Sequence, residues 1–494
     1  MNRRRRLLVV GNGMAADRLL DELAARDGLE SFQVTVVGEE PTGAYNRVLL
    51  SRVLAGGAAE LVVTKPLEWY PEAGVRLIAG RWVQRLDTAA RLAHIGDGET
   101  VAYDLAVLAT GSRPILPAAA GATISAATAT ISAAGATTSG GGPPAGVHVY
   151  RSLEDCLRLR DELDPDRGRR DVVVVGGGLL GLEAAVAART LGHRVAVVHP
   201  FEHLLNAQLE ETGGRLIRGR IEEMGIEVAV GRAEAVLAGP AGGRPAAEAL
   251  LLDDGRVLAA DTVIFTVGVT PRIETAAASG IATDRGIVVD DRLATSAPGV
   301  FAIGECAQHG GVTPGLVAPC WDQARVVADL LTGAEPTARY RPSPVYARLK
   351  VAGLDVASMG RVDVDPGDEV IEIHEPARHA HRRLLVRDGR LAGGTLVGDS
   401  SAAPLLIGML DRAEPLPANR LDLFCSADAF RPASGGGDTL CNCNRVSREQ
   451  VARAIGAGAG TPDEVGRATR AGTGCGSCVD AIEQLLAAEQ AAAA

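Results

Sequence analysis

The sequence predicts an α/β protein. It reads as two Rossmann-like dinucleotide-binding domains, an α+β cap domain and a small helical domain holding clustered cysteines. Three observations predict this. An apolar run, a glycine turn and an amphipathic helix follow one another twice, from Leu7 and again from Asp171. Short alternating runs punctuated by turn residues fill 340–430. Four of the eight cysteines gather near the end, as Cys441-Asn-Cys443 and Cys475-Gly-Ser-Cys478. A length of 494 residues has room for three or four such domains.

The first unit runs Leu7–Val10, Gly11-Asn-Gly13-Met-Ala-Ala16, a helix to about Arg26, a second apolar run at Gln33–Val37, then Glu39 and Glu40. Strand, glycine turn, helix, strand and acid is the order of a dinucleotide fingerprint. Gly11 permits the tight turn and Gly13 lets the backbone approach a pyrophosphate. The small Ala16 allows close helix–strand packing, and Glu39 or Glu40 accepts from a ribose hydroxyl. Further on, Leu105–Thr110 is an apolar strand ending in Ala-Thr-Gly111, followed by Ser-Arg113-Pro. Gly299 to Glu305 is another, whose closing Gly304-Glu305 suits a ribityl chain.

The second unit places Gly176, Gly178, Gly181 and Glu183 after the strand Asp171–Val175. Two dinucleotide folds in one chain imply one bound flavin, FAD, and one exchanging nicotinamide, NAD(P)H. Glu183 either orients the nicotinamide or satisfies the helix dipole. After the strand Arg194–Val198 stands His199-Pro200, where a carboxylate would select NAD and an arginine NADP. The reading leans to NADH.

Residues 118–146 are Ala, Gly, Ser and Thr with almost no large apolar side chain, which predicts a flexible insertion. Ala238–Ala247 is a smaller hairpin excursion. The expected division is 1–150 for the first part of the FAD domain and 151–284 for the NAD(P)H domain. The second part of the FAD domain follows at 285–339, the cap at 340–430 and the cysteine domain at 438–490, with Gly437 at a hinge. The cap resembles the third domain of related flavoproteins, which implies docking or a homodimer. His374, His379 and His381, flanked by arginines, read as a solvated loop. Cys156, Cys306, Cys320 and Cys425 share no short spacing and read as buried, unreactive thiols.

Between the two cysteine pairs lie two capped helices, Ser447 with Gln450 and Thr461-Pro462 with Glu464. Four thiolates beside glycine N–H groups suit a [2Fe–2S] cluster. Zinc and scattered structural thiols stay open on spacing alone, although Cys-x-Cys is tighter than a usual zinc knuckle.

The segment Cys441-Asn-Cys-Asn-Arg-Val-Ser447 to Ala471-Gly-Thr-Gly-Cys-Gly-Ser-Cys478 resembles the bacterioferritin-associated-ferredoxin-like (BFD-like) [2Fe–2S] domain. That resemblance implies Cys441, Cys443, Cys475 and Cys478 as cluster ligands. The four motifs from Leu7 to Thr332 resemble the two-dinucleotide-domain flavoproteins of the pyridine nucleotide-disulfide oxidoreductase fold. Within them, Tyr45-Asn-Arg47-Val-Leu-Leu-Ser-Arg52 looks like the flavin-contact segment of ferredoxin and rubredoxin reductases, which implies that Arg47 and Arg52 reach the FAD. The disulfide reductases carry a redox cysteine there and this segment has none, so electrons are expected to leave singly.

The whole run is similar to the front half of nitrite reductase large subunits and to FAD electron-transfer subunits of assimilatory nitrate reductases. It lacks the four further cysteines that a [4Fe–4S]–sirohaem centre would need after the cluster domain. The resemblance therefore implies an electron supplier whose acceptor is a separate nitrate or nitrite reductase catalytic protein. A rubredoxin- or ferredoxin-type reductase for another acceptor, and an iron–sulfur redox-sensing or docking protein, are the rival readings. A net charge of −11 argues against a nucleic-acid surface. Leu7–Val10 after the basic start is too short for a signal-peptide core or a membrane span, so no membrane attachment and a cytoplasmic location are expected.

Overall fold

The computed structural model describes residues 4–96, 98–117, 123–125, 143–241, 244–351, 353–420, 423, 439–441, 444, 446–474 and 478–493. Strand β1 (Arg5–Val10) leads through the first glycine turn into helix α1 (Met14–Ala24) and then β2 (Phe32–Gly38). Short helix α2 (Leu50–Leu54), β3 (Arg76–Ala79) and β4 (Leu105–Leu108) follow. A second α/β unit comprises β5 (Val147–Val149), β6 (Asp171–Val175), α3 (Leu179–Thr190), β7 (Arg194–His199), α4 (Glu211–Glu223), β8 (Ile226–Val230) and β9 (Thr262–Phe265). The chain then returns to the first sheet with β10 (Val300–Ala302) and helix α5 (Val317–Thr332).

Both sheets are parallel throughout, in the orders β10-β4-β1-β2-β3 and β5-β9-β6-β7-β8. Parallel strands are covered on both faces, which is why β1, β4, β6 and β7 are nearly continuous Val, Leu and Ala rather than alternating. Val9, Val107 and Val174 are completely buried in this way. In each sheet the glycine turn follows a central strand, and helix α1 packs along α5 beneath the first sheet.

The cap is an antiparallel sheet of β11 (Tyr346–Val351), β12 (Leu354–Gly360), β13 (Glu369–Glu375), β14 (Ala380–Arg387) and β15 (Arg390–Val397), closed by α6 (Ala403–Arg412). Its order is β11-β12-β15-β14-β13. Asp388 and Gly389, at φ 51° and 71°, make the two-residue turn between β14 and β15. A mirror-image turn with both central φ positive matches the strand twist, which is why Asp-Gly sits there.

The last segment holds α7 (Arg448–Gly456), α8 (Pro462–Thr469) and α9 (Val479–Ala493). Both capping boxes form: Ser447 accepts from the Gln450 N–H and Thr461 from the Glu464 N–H, and each partner side chain reaches back.

One expectation needs correction. Thr123–Ser125, inside the supposed flexible insertion, forms a strand pairing in parallel with Val236–Ala238; the remainder of 118–142 lies outside the described residues. The hairpin expected at Ala238–Ala247 forms, as the end of two long antiparallel strands, Ala233–Ala241 and Arg244–Leu252, in the same four-stranded sheet. Small residues with little apolar bulk still have backbone groups, and a neighbouring sheet edge satisfies them. Gly437 and Cys425 also lie outside the described residues.

Candidate functional site

A cavity of about 620 Å³ opens between the first glycine turn and the start of α3, which follows the second. Its first wall is the turn after β1. Gly11 has φ +106°, and an added Cβ would lie 2.1 Å from the Ala109 carbonyl oxygen, so only glycine fits. Gly13 is the N-cap of α1 and has no side chain to cap the helix, which leaves the first-turn N–H groups available to an anion. Between them Asn12 accepts from the Tyr70 hydroxyl at 2.8 Å through Oδ1. Its Nδ2 is buried without a hydrogen-bond partner among the described residues. An orphaned donor between two glycines is what a pyrophosphate oxygen would satisfy. Ala16 is fully buried against the sheet and is not part of the wall.

The acids of the wall are held by distant arginines. Glu39 pairs with Arg272. Glu40 accepts from the Tyr45 hydroxyl at 2.6 Å and pairs with Arg47, whose guanidinium lies 4.8 Å over the Tyr45 ring. Burial, with Glu40 beside it, pushes the Tyr45 phenol well above its ordinary value, so it stays a donor. Glu305 pairs with Arg151 and accepts from Ser112. Thr110 donates through Oγ1 to the Arg272 carbonyl at 2.7 Å, and the Gly111 carbonyl accepts the Arg272 N–H at 2.9 Å. The Gly304 N–H donates to Gln323 Oε1 at 2.7 Å. At the far end, Leu316, Val317 and Ala318 bring the N-terminus of α5 to the cavity.

Two expected contacts lie elsewhere. Arg52 lines a different cavity, with Arg220 and Arg348, because α2 turns its side chain away. Arg113 pairs with Glu274 at 2.6 Å on the surface, since alternation along its short strand sends Ser112 and Pro114 inward instead.

The start of helix α3, just past the second glycine turn, supplies the opposite wall. Gly176 has φ +122°, and an added Cβ on Gly181 would lie 1.9 Å from the Gly176 carbonyl oxygen. Gly178 is the N-cap of α3, and a Cβ there would meet nothing within 4 Å. Leu179, Leu180 and the buried Glu183 line the same cavity as Gly11 and Gly13. His199 ends β7, and its Nδ1 accepts the Gly177 N–H at 3.1 Å. Burial lowers its pKa, with His203 adding to the effect, so the ring is neutral.

Of the four clustered thiols, Cys443 and Cys475 lie outside the described residues. Cys441 and Cys478 are both buried and share an apolar cluster with Val446, Val451, Val465, Ala471, Ile482 and Trp321. The Gly472 N–H donates to Cys478 Sγ at 3.1 Å. An amide donor aimed at sulfur in an apolar surround is the environment of a metal-bound thiolate. Trp321 comes from α5, and Met14 and Val317 pack on the same cluster. The segment bearing Cys441 and Cys478 is therefore docked against the rim of that cavity.

The other described cysteines are ordinary buried thiols. Cys156 donates to the Leu50 carbonyl and Cys306 to that of Ile303, and burial pushes both up, Cys156 to about 11. Cys320 donates to the Leu316 carbonyl and is raised further by burial and by Glu305. His381 is not on a solvated loop. It lies on β14, 1% exposed, with Nε2 2.9 Å from Glu210 Oε1 on the second α/β unit. His374 stacks edge-on to it from β13.

Sequence reasoning missed Asn12, Arg151 and Arg272 as parts of the cavity, and Asn46, whose amide donates to the loop before Cys475. Asn12 sits inside the glycine motif and was there to be read. The other three carry no local signal.

Comparison with known proteins accords with this geometry. Residues 5–324 match the pyridine nucleotide-disulphide oxidoreductase family, 345–413 the rubredoxin NAD+ reductase C-terminal domain, and 439–488 the BFD-like [2Fe-2S] binding domain. The chain is 32% identical over 490 residues to the assimilatory nitrate reductase electron transfer subunit of Bacillus subtilis, covering 98% of this chain and 60% of that one. It is 32% identical over 498 residues to the nitrite reductase (NADH) large subunit of Escherichia coli, covering 98% and 56%. It thus spans somewhat over half the length of these relatives. Among solved structures, a ferredoxin reductase from Rhodopseudomonas palustris superposes with a TM-score of 0.70 at 26% identity, over 83% of this chain and 96% of that one. A putidaredoxin reductase–putidaredoxin complex gives 0.72 at 23% identity, over 85% and 96%, and shares the fold.

Proposed function

The chain belongs to the pyridine nucleotide-disulphide oxidoreductase family, and from that premise we propose an FAD-dependent NAD(P)H oxidoreductase. It delivers electrons through a [2Fe–2S] cluster to a separate catalytic protein of nitrate or nitrite assimilation. One observation carries the reading: the first glycine turn and the start of the helix that follows the second line a single cavity, and the segment bearing Cys441 and Cys478 is packed on its rim. Bound there, FAD supplies two-electron uptake and one-electron release, and the cluster carries electrons singly.

The protein contributes binding, orientation and exclusion of water. Gly11 and Gly13 admit the pyrophosphate, with the orphaned Asn12 amide as donor. Glu39, Glu40, Arg47, Thr110, Gly111, Gly304 and Glu305 surround the flavin nucleotide, and the α5 N-terminus lends partial positive charge where reduced flavin is anionic. Gly176, Gly178 and Gly181 admit the nicotinamide dinucleotide, Leu179 and Leu180 shield the space between, and Glu183 orients the nicotinamide. NADH is favoured, because neutral His199 offers no grip for a 2′-phosphate. Cys441, Cys443, Cys475 and Cys478 hold the cluster.

The acceptor is a nitrate or nitrite reductase protein, supported by the nitrate and nitrite reductase relatives that align with 98% of this chain. A ferredoxin- or rubredoxin-type acceptor is the second reading, favoured by the match over residues 345–413. We place the protein in the cytoplasm, supported by Cys156, Cys306 and Cys320 standing as thiols that donate to carbonyls. No described helix is long and apolar enough to cross a membrane. A homodimer through the cap is part of the same reading.

The test is an anaerobic NADH titration followed by optical and paramagnetic resonance spectra. Flavin and cluster absorption should both bleach, and purified nitrate or sirohaem nitrite reductase should then turn over. A Cys478→Ser protein that sustains full turnover with that partner would refute the path through the cluster.

A further inference from the structure

We propose that Asn46 is a positioning residue that fixes the cluster-bearing loop against the flavin cavity. This rests on the function proposed above. Asn46 stands between Tyr45 and Arg47, both of which line the cavity, and is itself 2% exposed and turned away from it. Its Nδ2 donates to two carbonyls of the distant loop, Thr473 at 2.7 Å and Gly474 at 2.8 Å. Gly474 immediately precedes Cys475. On the other side, Oδ1 accepts the Val48 N–H at 3.0 Å, capping the short turn Arg47–Leu49. The backbone N–H donates to the Val62 carbonyl at 2.7 Å.

This pattern admits only an amide in one orientation. Two carbonyls require two N–H donors on one end, and an N–H requires an acceptor on the other. Aspartate is isosteric and keeps the cap, but sets a carboxylate oxygen against two carbonyl oxygens. Alanine loses both ends. One buried side chain therefore joins the Tyr45–Arg47 segment of the cavity wall to the loop that precedes Cys475.

The docking has other supports. Arg18 donates to Asn444 at 2.8 Å, Asn444 donates to the Arg470 carbonyl at 2.6 Å, and Arg470 pairs with Asp21. Trp321 contributes apolar cover and donates to the Met14 carbonyl at 3.2 Å. Loss of Asn46 alone should therefore leave the segment docked and loosen the loop. The transfer it serves moves two electrons singly per NADH, leaving NAD+ and a proton.

The experiment compares Asn46→Asp and Asn46→Ala with wild type as full-length protein carrying flavin and cluster. Stopped-flow spectra separate bleaching of the flavin by NADH from reduction of the cluster. Both variants should slow cluster reduction by about tenfold or more, with flavin bleaching held within about twofold, while hydrogen exchange across 472–474 accelerates even in cofactor-stripped protein. Should Asn46→Ala fail to fold, Asn46→Asp, which keeps the turn cap, decides. An Asp variant with wild-type cluster reduction, or one whose flavin bleaching slows equally, overturns the proposal. A wild-type cluster that NADH never reduces overturns the proposed function instead, and the exchange measurement then still decides whether Asn46 grips the loop.

Discussion

Replacing Glu210 by glutamine should destabilise the contact between the cap and the second α/β unit in a pH-dependent way. Glu210 is the N-cap of α4, where Oε1 accepts the Gly213 N–H at 3.0 Å. Thr395 on β15 donates to Oε2 at 2.7 Å, and His381 Nε2 lies 2.9 Å from Oε1. Burial alone would raise its pKa, but the bonds from His381 and Thr395 more than offset that and hold it at about 2, against 4.5 ordinarily. At about 1.4 kcal/mol per pH unit, this is about 3 kcal/mol in favour of the folded state. A depressed carboxylate contributes fully above its unfolded value and loses its contribution as pH falls toward the folded one. By pH 3.5 about 1.4 kcal/mol should be gone. Urea melts read by hydrogen exchange over residues 380–397 should show Glu210→Gln weaker than wild type by up to about 3 kcal/mol at pH 7. The gap should narrow steadily below pH 4.5. A gap that stays constant from pH 7 to 3.5 would mean that shape, not charge, holds the contact.

The remaining predictions concern the cavity, its floor and the cluster. Gly181→Ala forces a methyl group to 1.9 Å from the Gly176 carbonyl oxygen; at about 1–3 kcal/mol for overpacking, NADH affinity should fall roughly tenfold or more while flavin content is kept. Steady-state KM together with the flavin absorbance of the purified protein checks this. Lys65 is buried between Asp17 and Asp21, at 2.8 Å from Asp21. Lys65→Met leaves the buried Asp17 carboxylate unpaired and Asp21 with Arg470 alone, and should cost about 3–5 kcal/mol, seen as a lower thermal midpoint. Cys478→Ser should abolish the cluster's visible absorption and leave bleaching of the flavin by NADH unaltered, which anaerobic spectra decide directly.

Much of the architecture was legible because parallel strands and glycine turns leave strong local marks. Leu7–Val10 with Gly11, and Asp171–Val175 with Gly176, announce strands ending where a side chain would strike a neighbouring carbonyl. The capping boxes at Ser447 and Thr461 were equally plain, because helix starts are solved within four residues. What sequence could not convey was counter-charge. Glu39 meets Arg272 across 233 positions and Glu305 meets Arg151 across 154, so nothing local distinguishes these arginines from solvated ones. Flanking arginines likewise disguised His381, although strand alternation turns its ring inward while its neighbours' charges find acids. Thr123–Ser125 misled for the opposite reason: its composition is uninformative, and its pairing is made by a strand more than a hundred residues away.

The covering of Trp321, Met14 and Val317 by the final segment bears on how electrons find their way out. Because donor surface and carrier belong to one polypeptide, their encounter is unimolecular and insensitive to dilution. A small carrier protein added from outside would have to displace that tethered occupant to touch the same side chains. In the proposed path, an external acceptor meets the cluster from the side of α7, α8 and α9 that faces away from Trp321.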